Sequence, residues 1–235
     1  TMGTAISLPS CSMVNRLKAL ADEGYRQFSQ GLILDGKPLL GVRTPPLKAI
    51  AKELAKGGEK PPAGGLYHEE TLLRGLVIAY LKINEEERLP LVEEFTDEID
   101  NWAVCDLFCG ALKSCQSHKE LYLPLIRDLI EDDNPYKVRF AVVMLLAYFM
   151  EREDLNESLY LFERGVREHY YTEMGIAWVV ATAFSHHSAI VKGWLENSPL
   201  PSKIKLMAIQ KIRDSRRTPE EDREWAANLR KRIRG

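Results

Sequence analysis

Apolar residues recur at spacings of three and four along most of the chain, and strict alternation of apolar and polar residues is scarce. Such spacing predicts amphipathic α-helices that each bury one face. The segments with this pattern are 14–21, 47–54, 72–80, 89–95, 102–115, 121–130, 135–150, 155–166, 171–184, 189–195, 201–212 and 219–233. We therefore expect about eleven or twelve helices of modest length and no strand.

The helix around 47–54 has clear predicted ends. Thr44 is a suitable N-cap and Pro45 suits the first helical position. Gly57 and Gly58 favour termination after the last apolar residue.

Helix pairs follow one another at intervals of about 35 to 40 residues, which is the spacing of HEAT-type arrays. The pairs share no fixed consensus, so we expect an all-α, irregular HEAT-like helical-repeat solenoid (an α-α superhelix) rather than a globin-like bundle. Stacked helix pairs present an extended concave face. We interpret residues 1–235 as a single domain, with 1–10 as a flexible or expression-derived start and 57–66 as an internal loop.

The charge distribution is uneven along the chain. The net charge is −2, but residues 201–235 hold eleven basic and five acidic residues and so carry +6. The other 200 residues hold 21 basic and 29 acidic residues and carry −8. A basic block on an acidic body suggests an anionic partner, although a solvated terminal helix has the same composition.

Cysteine and histidine usage indicates a reduced protein without a metal or other cofactor. The cysteines form no C-x-x-C pair, and three of them lie in one apolar stretch. His186 and His187 are adjacent and would not face one direction on a helix, so they make a poor chelate. The chain has no run of about 18 apolar residues and no signal-peptide pattern, so we expect a cytoplasmic location without membrane contact. The cysteines are Cys11, Cys105, Cys109 and Cys115.

The sequence Asn101-Trp102-Ala103-Val104-Cys105-Asp106 places an acid and a large aromatic in an apolar segment. Trp102 and Asp106 are four residues apart and share a face if the segment is helical. A structural interpretation is also open. In it Asp106 is exposed near a helix start, where a negative charge is favourable, and Trp102 belongs to the core.

Arg139 and Trp178 are two further candidates. Arg139 is the last charged residue before a long apolar run, and it either makes an ion pair between helices or points into a groove. In a groove it could hold Asp106 or a phosphate. Trp178 follows the small residues Gly175 and Ala177, which would let a ligand or another helix approach, with core packing as the usual alternative.

Basic residues suited to phosphate groups follow Pro201-Ser202, at a predicted helix start. Free backbone N–H groups at such a start can also hold a phosphate. The candidates for these contacts are Lys203, Lys205, Lys211 and Arg213.

Together these features resemble the DNA alkylation repair family of HEAT-like proteins, the AlkD-type DNA glycosylases, over about residues 14–212. Gly41-Val42-Arg43-Thr44-Pro45 is similar to the family's early Gly-hydrophobic-x-Thr-Pro signature. Trp102 and Asp106 fall where the family has its groove Trp and catalytic Asp. Arg139 matches an Arg of the family site, and Trp178 matches the second groove Trp. Pro201-Ser202-Lys203 and 208–212 are similar to the family's C-terminal element.

The resemblance implies a monomeric, cofactor-independent glycosylase that excises cationic N3- or N7-alkylated purines, such as 3-methyladenine or 7-methylguanine, from double-stranded DNA. Asp106 would be the catalytic residue, and Trp102, Trp178 and Arg139 would bind the substrate. The DNA backbone contacts would be Lys203, Lys205, Lys211 and Arg213.

One departure keeps alternatives open. In the better-characterised glycosylases that this chain resembles, a basic residue follows three positions after the second Trp. This chain has Ala181 at that position. That difference favours a second hypothesis, a non-catalytic DNA-structure-binding HEAT-repeat protein with weakened or lost glycosylase activity. A third hypothesis, a protein-binding scaffold, requires a concave face that is acidic or apolar rather than basic.

Overall fold

The computed structural model describes residues 10–235, with side chains from residue 12 onward. These residues form twelve α-helices, one 3-10 helix and no strand. The helices are α1 (Ser10–Ala19), α2 (Glu23–Leu32), α3 (Thr44–Lys56), α4 (His68–Tyr80), α5 (Glu85–Thr96), α6 (Trp102–Ala111), the 3-10 helix Lys113–Ser117, α7 (Lys119–Ile130), α8 (Pro135–Tyr148), α9 (Arg152–Arg164), α10 (Tyr170–Asn197), α11 (Ser202–Asp214) and α12 (Glu220–Arg234). Neighbouring helices pack in pairs, as in a HEAT-like repeat array, so the predicted all-α fold is confirmed.

Two sequence-based interpretations concern the beginning of the chain. Apart from Ser10, which begins α1, the predicted start at residues 1–10 lies outside the described residues. The side chain of Cys11 also lies outside them.

The chain divides into two compact units. Unit 1 ends at Tyr122, and unit 2 runs from Leu123 to Gly235. In unit 1, α4 is the central helix and packs on α3, α5 and α6. In unit 2, α10 packs on α8, α9 and α11, and α12 packs on α11. Each unit therefore has its own central helix, and a single domain over the whole chain stays a prediction.

The central helix α4 is buried on almost every side because its neighbours can approach closely. A Cβ atom on Gly75 would lie 2.7 Å from the ring of Phe95 and 3.3 Å from that of Phe108. These two rings pack edge to face with centroids 4.4 Å apart. Glycine at position 75 thus brings α5 and α6 into contact with α4, and this fixes the position of α6.

The central helix α10 of unit 2 consists of two helical segments. His187 has non-helical angles (φ −140°, ψ 51°) and lies between the segments predicted at 171–184 and 189–195. Among the described helices, α10 alone is long and apolar enough to cross a membrane by length and composition. Residues such as Ile176, Val180 and Phe184 are buried within unit 2, so α10 packs as a core helix.

The structure corrects three helix predictions. Arg43 rather than Thr44 is the N-cap of α3, Thr44 is its first residue, and no side chain caps this end. The predicted helix 102–115 ends at Ala111, and a 3-10 helix follows after the non-helical Leu112. Helix α2 had no predicted counterpart, because its large apolar residues Phe28 and Leu32 are exposed rather than turned into a core.

The segment joining α2 to α3 is held by a buried carboxylate on α4. Glu69 is 1% exposed and accepts hydrogen bonds from the backbone N–H groups of Leu40, Gly41 and Val42 at 2.8, 2.7 and 3.2 Å. Gly41 has φ +89°, and a Cβ there would lie 2.6 Å from the backbone oxygen of Asp22. The glycine of the 41–45 motif is therefore required by both its conformation and its contacts.

We expect Glu69→Ala to lower the free energy of unfolding by about 3 kcal/mol, because three backbone N–H groups in a mostly buried segment lose their acceptor. The matched control is Glu53→Ala on α3, which breaks an exposed ion pair with Arg16 and should change stability little. Urea unfolding of both variants measures the difference. Equal destabilisation by the two substitutions would show that the Glu69 hydrogen bonds add nothing specific.

Candidate functional site

The predicted site residues fall in both units. Trp102 and Asp106 belong to unit 1, and Arg139, Trp178 and the basic residues of α11 belong to unit 2. Each group is described within its own unit.

The start of α6, which carries Trp102 and Asp106, is fixed by a buried asparagine. Asn101 is 1% exposed, and its Oδ1 accepts a hydrogen bond from the backbone N–H of Val104 at 3.0 Å. Its Nδ2 donates to Asp100 Oδ1 at 2.9 Å and lies 3.1 Å from His68 Nδ1 on α4. The N-cap of α6 is thus tied to the central helix of unit 1.

The asparagine defines the protonation state of His68. Because Asn101 Oδ1 already accepts the helix N–H, its Nδ2 faces His68 and donates, so His68 Nδ1 must be an acceptor. The imidazole is then neutral, with its proton on Nε2. Burial lowers the pKa of His68, while the charges of Glu69 and Asp100 raise it and that of Lys37 lowers it. Burial and the hydrogen bond both favour the neutral ring.

Trp102 and Asp106 share one partly exposed face of α6. Both side chains are half-buried, whereas Val104, Cys105 and Phe108 turn into the core. Trp102 Nε1 donates to the backbone oxygen of Leu32 at 3.1 Å. Trp102 is therefore not a fully buried core residue. Asp106 is the fifth residue of α6, beyond the first turn, where the helix dipole acts most strongly.

Helix α2 and the segment after it add an apolar surface that sequence reasoning missed. Gly36 has φ +93°, and a Cβ there would lie 2.8 Å from Asp100 Oδ1, so this loop presses against the start of α6. The side chains of Phe28 and Leu34 are 66% and 74% exposed. Since the carbonyl of Leu32 holds the Trp102 indole, this exposed apolar segment is anchored at the Trp102 face. No sequence signal indicated it, because α2 has no buried apolar stripe.

In unit 2, the solvent-facing side of α10 carries the second predicted tryptophan. Trp178 is 39% exposed, while its neighbours Ala177 and Val179 are fully buried. Tyr171, Met174 and Trp178 follow one another at helical spacing and are all at least partly exposed. Ala181 continues this side of the helix one turn later, so a small side chain stands beside the indole. The alternative of a tryptophan buried in the core is wrong for Trp178.

Arg139 on α8 donates a hydrogen bond to the backbone of the first turn of α10. It is 6% exposed on α8, and its Nη1 donates to the backbone oxygen of Tyr171 at 2.5 Å. A Cβ on Gly175 would lie only 3.3 Å from the same nitrogen, so this glycine makes room for the guanidinium. Within unit 2, Arg139 holds the backbone of the helix that presents Trp178. Its direct contact with substrate stays a prediction.

The four basic residues predicted to contact phosphates do not form one face of α11. Lys203 and Lys205 are two positions apart and point to nearly opposite sides of the helix, and the same holds for Lys211 and Arg213. The Lys203 ammonium lies 2.5 Å from Glu173 Oε2 in an ion pair without hydrogen-bond geometry. The predicted set is therefore divided between different surroundings.

Within residues 12–235, no three His, Cys, Asp or Glu side chains are grouped so that they could hold a metal ion. His187 Nε2 lies 2.8 Å from the carbonyl oxygen of Met150, which gives it a structural role. Cys105, Cys109 and Cys115 are buried.

Comparison with known families decides what kind of protein this is. Residues 13–218 match the family described as DNA alkylation repair enzyme. The chain belongs to the DNA alkylation repair enzyme family. No curated protein matches the chain. The family assignment confirms the resemblance inferred from the sequence, and it makes DNA the substrate. The matched region of the DNA alkylation repair protein contains every predicted site residue and ends before α12.

We expect the wild-type protein to lose more stability than His68→Gln as the pH falls. The folded state keeps His68 neutral, whereas the unfolded chain takes up a proton below about pH 6.5. The stabilisation is complete above that pH and is lost toward the lower folded-state pKa, by up to about 1.4 kcal/mol for each pH unit. Glutamine can still accept from Asn101 but does not titrate.

Urea unfolding at pH 7.5 and 5.5 measures this difference, with His186→Gln as the control because His186 is exposed. If all three proteins show the same pH dependence, the neutral His68 is not coupled to folding.

Proposed function

We propose that this DNA alkylation repair protein is a DNA glycosylase that releases cationic N3- or N7-alkylated purines from double-stranded DNA. The observation that carries the proposal is the face of α6. It presents a carboxylate and an indole one turn apart, on a helix start that buried hydrogen bonds hold in place. Rigid placement of this kind is what a reacting group requires.

A single carboxylate matches the chemistry of a cationic leaving group. Ordinary glycoside hydrolysis uses two carboxyl groups, one of which protonates the departing oxygen. A purine alkylated at N3 or N7 already bears a positive charge, so its C1′–N bond breaks to give a neutral base. The charge that develops on the sugar is stabilised by Asp106, and water then adds to C1′ and loses a proton.

The exposed indoles supply surfaces that bind a cationic nucleotide without reading its sequence. The ring face of a tryptophan attracts cations and stacks on bases. Trp102 and Trp178 are both accessible, and Arg139 supports the helix that carries Trp178. The buried Cys105 and Cys115, which form no disulfide bond, support action in a reducing compartment such as the cytoplasm.

A second candidate function rests on Ala181. The side of α10 that carries Trp178 has a small apolar side chain where the resembled glycosylases have a basic one. A missing cation there weakens the hold on a phosphate near the base. This observation favours a non-catalytic protein that binds distorted DNA.

We expect Asp106→Asn to reduce release of 7-methylguanine from duplex DNA at least 100-fold, because the neutral amide no longer stabilises the sugar cation. Duplex binding and the unfolding midpoint should stay close to the wild-type values. Single-turnover release of the free base is the measurement, and Asp133→Asn, at an exposed aspartate, is the control.

Equal release by the wild type and Asp106→Asn would exclude Asp106 as the catalytic residue. Absence of release by both proteins, with DNA binding retained, would replace the glycosylase by the non-catalytic DNA binder.

We expect Trp178→Ala to weaken binding of lesion-bearing duplex roughly tenfold, since stacking of a base on an aromatic ring contributes about 1–3 kcal/mol. Tyr160→Ala is the matched control, because Tyr160 is an exposed aromatic residue on α9 in the same unit. Fluorescence anisotropy at fixed salt compares the two variants. A similar loss of affinity for both would mean that Trp178 has no specific contact with DNA.

A further inference from the structure

We propose that the groove between α11 and α12 is a binding site for the phosphate backbone of duplex DNA. The groove is open, has a volume of about 520 Å³, and is lined by Arg213 from α11 and by Arg230, Lys231 and Arg234 from α12. This inference rests on the proposed action on DNA, but it does not depend on base release.

The four cationic side chains that line the groove are available to an anionic ligand. In the part of the chain that the structure describes, none of them makes a hydrogen bond or an ion pair through its side chain. The neighbouring cations do: Arg232 pairs with Glu196 at 2.9 Å, and Arg223 donates to the backbone oxygens of Ser215 and Thr218. The groove therefore brings together four cations from two helices.

The contrast with a second groove along the same two helices shows that the charge is segregated. That groove contains Arg213 and Arg223 together with Asp214, Glu220 and Glu224. Two arginines there lie with three carboxylates, so acidic side chains outnumber basic ones. The groove at Arg230 and Arg234 has cations and no acidic side chain in its lining, so of these two grooves it is the one that attracts a polyanion.

Stabilisation of the helix ends does not account for this arrangement. Basic residues in the last turn of a helix interact favourably with its dipole, and Lys231 and Arg234 lie in the last turn of α12. Arg213 likewise lies in the last turn of α11, but Arg230 precedes the last turn of α12, and the helix dipoles do not explain why cations of two helices line one groove. A convergence of cations from two helices in one groove fits the spaced negative charges of a nucleic-acid backbone.

The site also lies largely outside the family-matched region. The match ends at residue 218, and three of the four cations are on α12, after that end. The acidic composition of residues 1–200, with a net charge of −8, makes this groove an important source of positive charge for the chain. We therefore assign it to general binding of the duplex, separate from the Trp102 and Asp106 face.

The test compares two double variants that remove the same charge from the same C-terminal block. Arg230→Gln/Arg234→Gln removes two groove cations, and Arg216→Gln/Arg217→Gln removes two exposed arginines from the loop between α11 and α12. Binding of an undamaged 20-base-pair duplex is measured by anisotropy from 50 to 200 mM salt. Unfolding midpoints confirm that both variants are folded.

The groove variant should reduce the slope of log affinity against log salt by about two, because each lost phosphate contact changes it by about 0.9. The loop variant should change it by less than half as much. Equal changes in both variants, no change in either, or preferential binding of single-stranded RNA by the groove would overturn the proposal. Single-turnover base release at saturating protein distinguishes this proposal from the proposed glycosylase activity. Removal of the groove cations should lower the affinity for DNA and leave base release at saturation unchanged. If the protein is not a glycosylase, the wild type itself releases no base.

Discussion

Glu69 and His68 are adjacent on α4, and together they fix the two segments on which the candidate site of unit 1 depends. The Glu69 carboxylate accepts three backbone N–H groups of the segment before α3, and His68 accepts from the N-cap asparagine of α6. A buried carboxylate is tolerated only when it is well hydrogen-bonded, so this segment cannot shift without leaving the charge unsatisfied. Helix α4 therefore holds both the segment 40–42 and the start of α6, the helix that carries Trp102 and Asp106.

In unit 2, too, a buried polar side chain holds the backbone of the helix that carries an exposed tryptophan. The guanidinium of Arg139 is buried beneath α10 and donates to the carbonyl of Tyr171, while Gly175 leaves space for it. In both units a buried polar side chain binds the backbone next to an accessible indole. A ring on a backbone that is already held in place loses less conformational freedom on binding a ligand, which reduces the entropic cost of binding.

Much of the fold could be predicted because most helices turn a continuous apolar stripe toward a core. The periodicity located α4, α8 and α10 and the shared face of Trp102 and Asp106. It failed for α2, whose residues Phe28 and Leu32 are exposed, and it could not locate the break at Leu112. The hydrogen bonds from Glu69 and His68 join residues about thirty positions apart, and no local pattern encodes such contacts. The division of the basic residues between separate surroundings likewise depends on how α11 packs.

The uncharged Ala181 beside Trp178 has two opposite effects on the binding of alkylated DNA under the proposed function. A cation beside Trp178 would attract phosphate, but it would also repel the positive charge of an alkylated purine. With alanine at position 181, the residue one turn after the Trp178 indole is uncharged, whereas four cations line the groove of Arg230 and Arg234. Binding of the phosphate backbone requires cations, whereas binding of a positively charged base is weakened by them, so the two functions are better served by different surfaces. Under the proposed function, alanine at 181 affects where the duplex backbone is held and leaves the chemistry proposed for Asp106 unchanged.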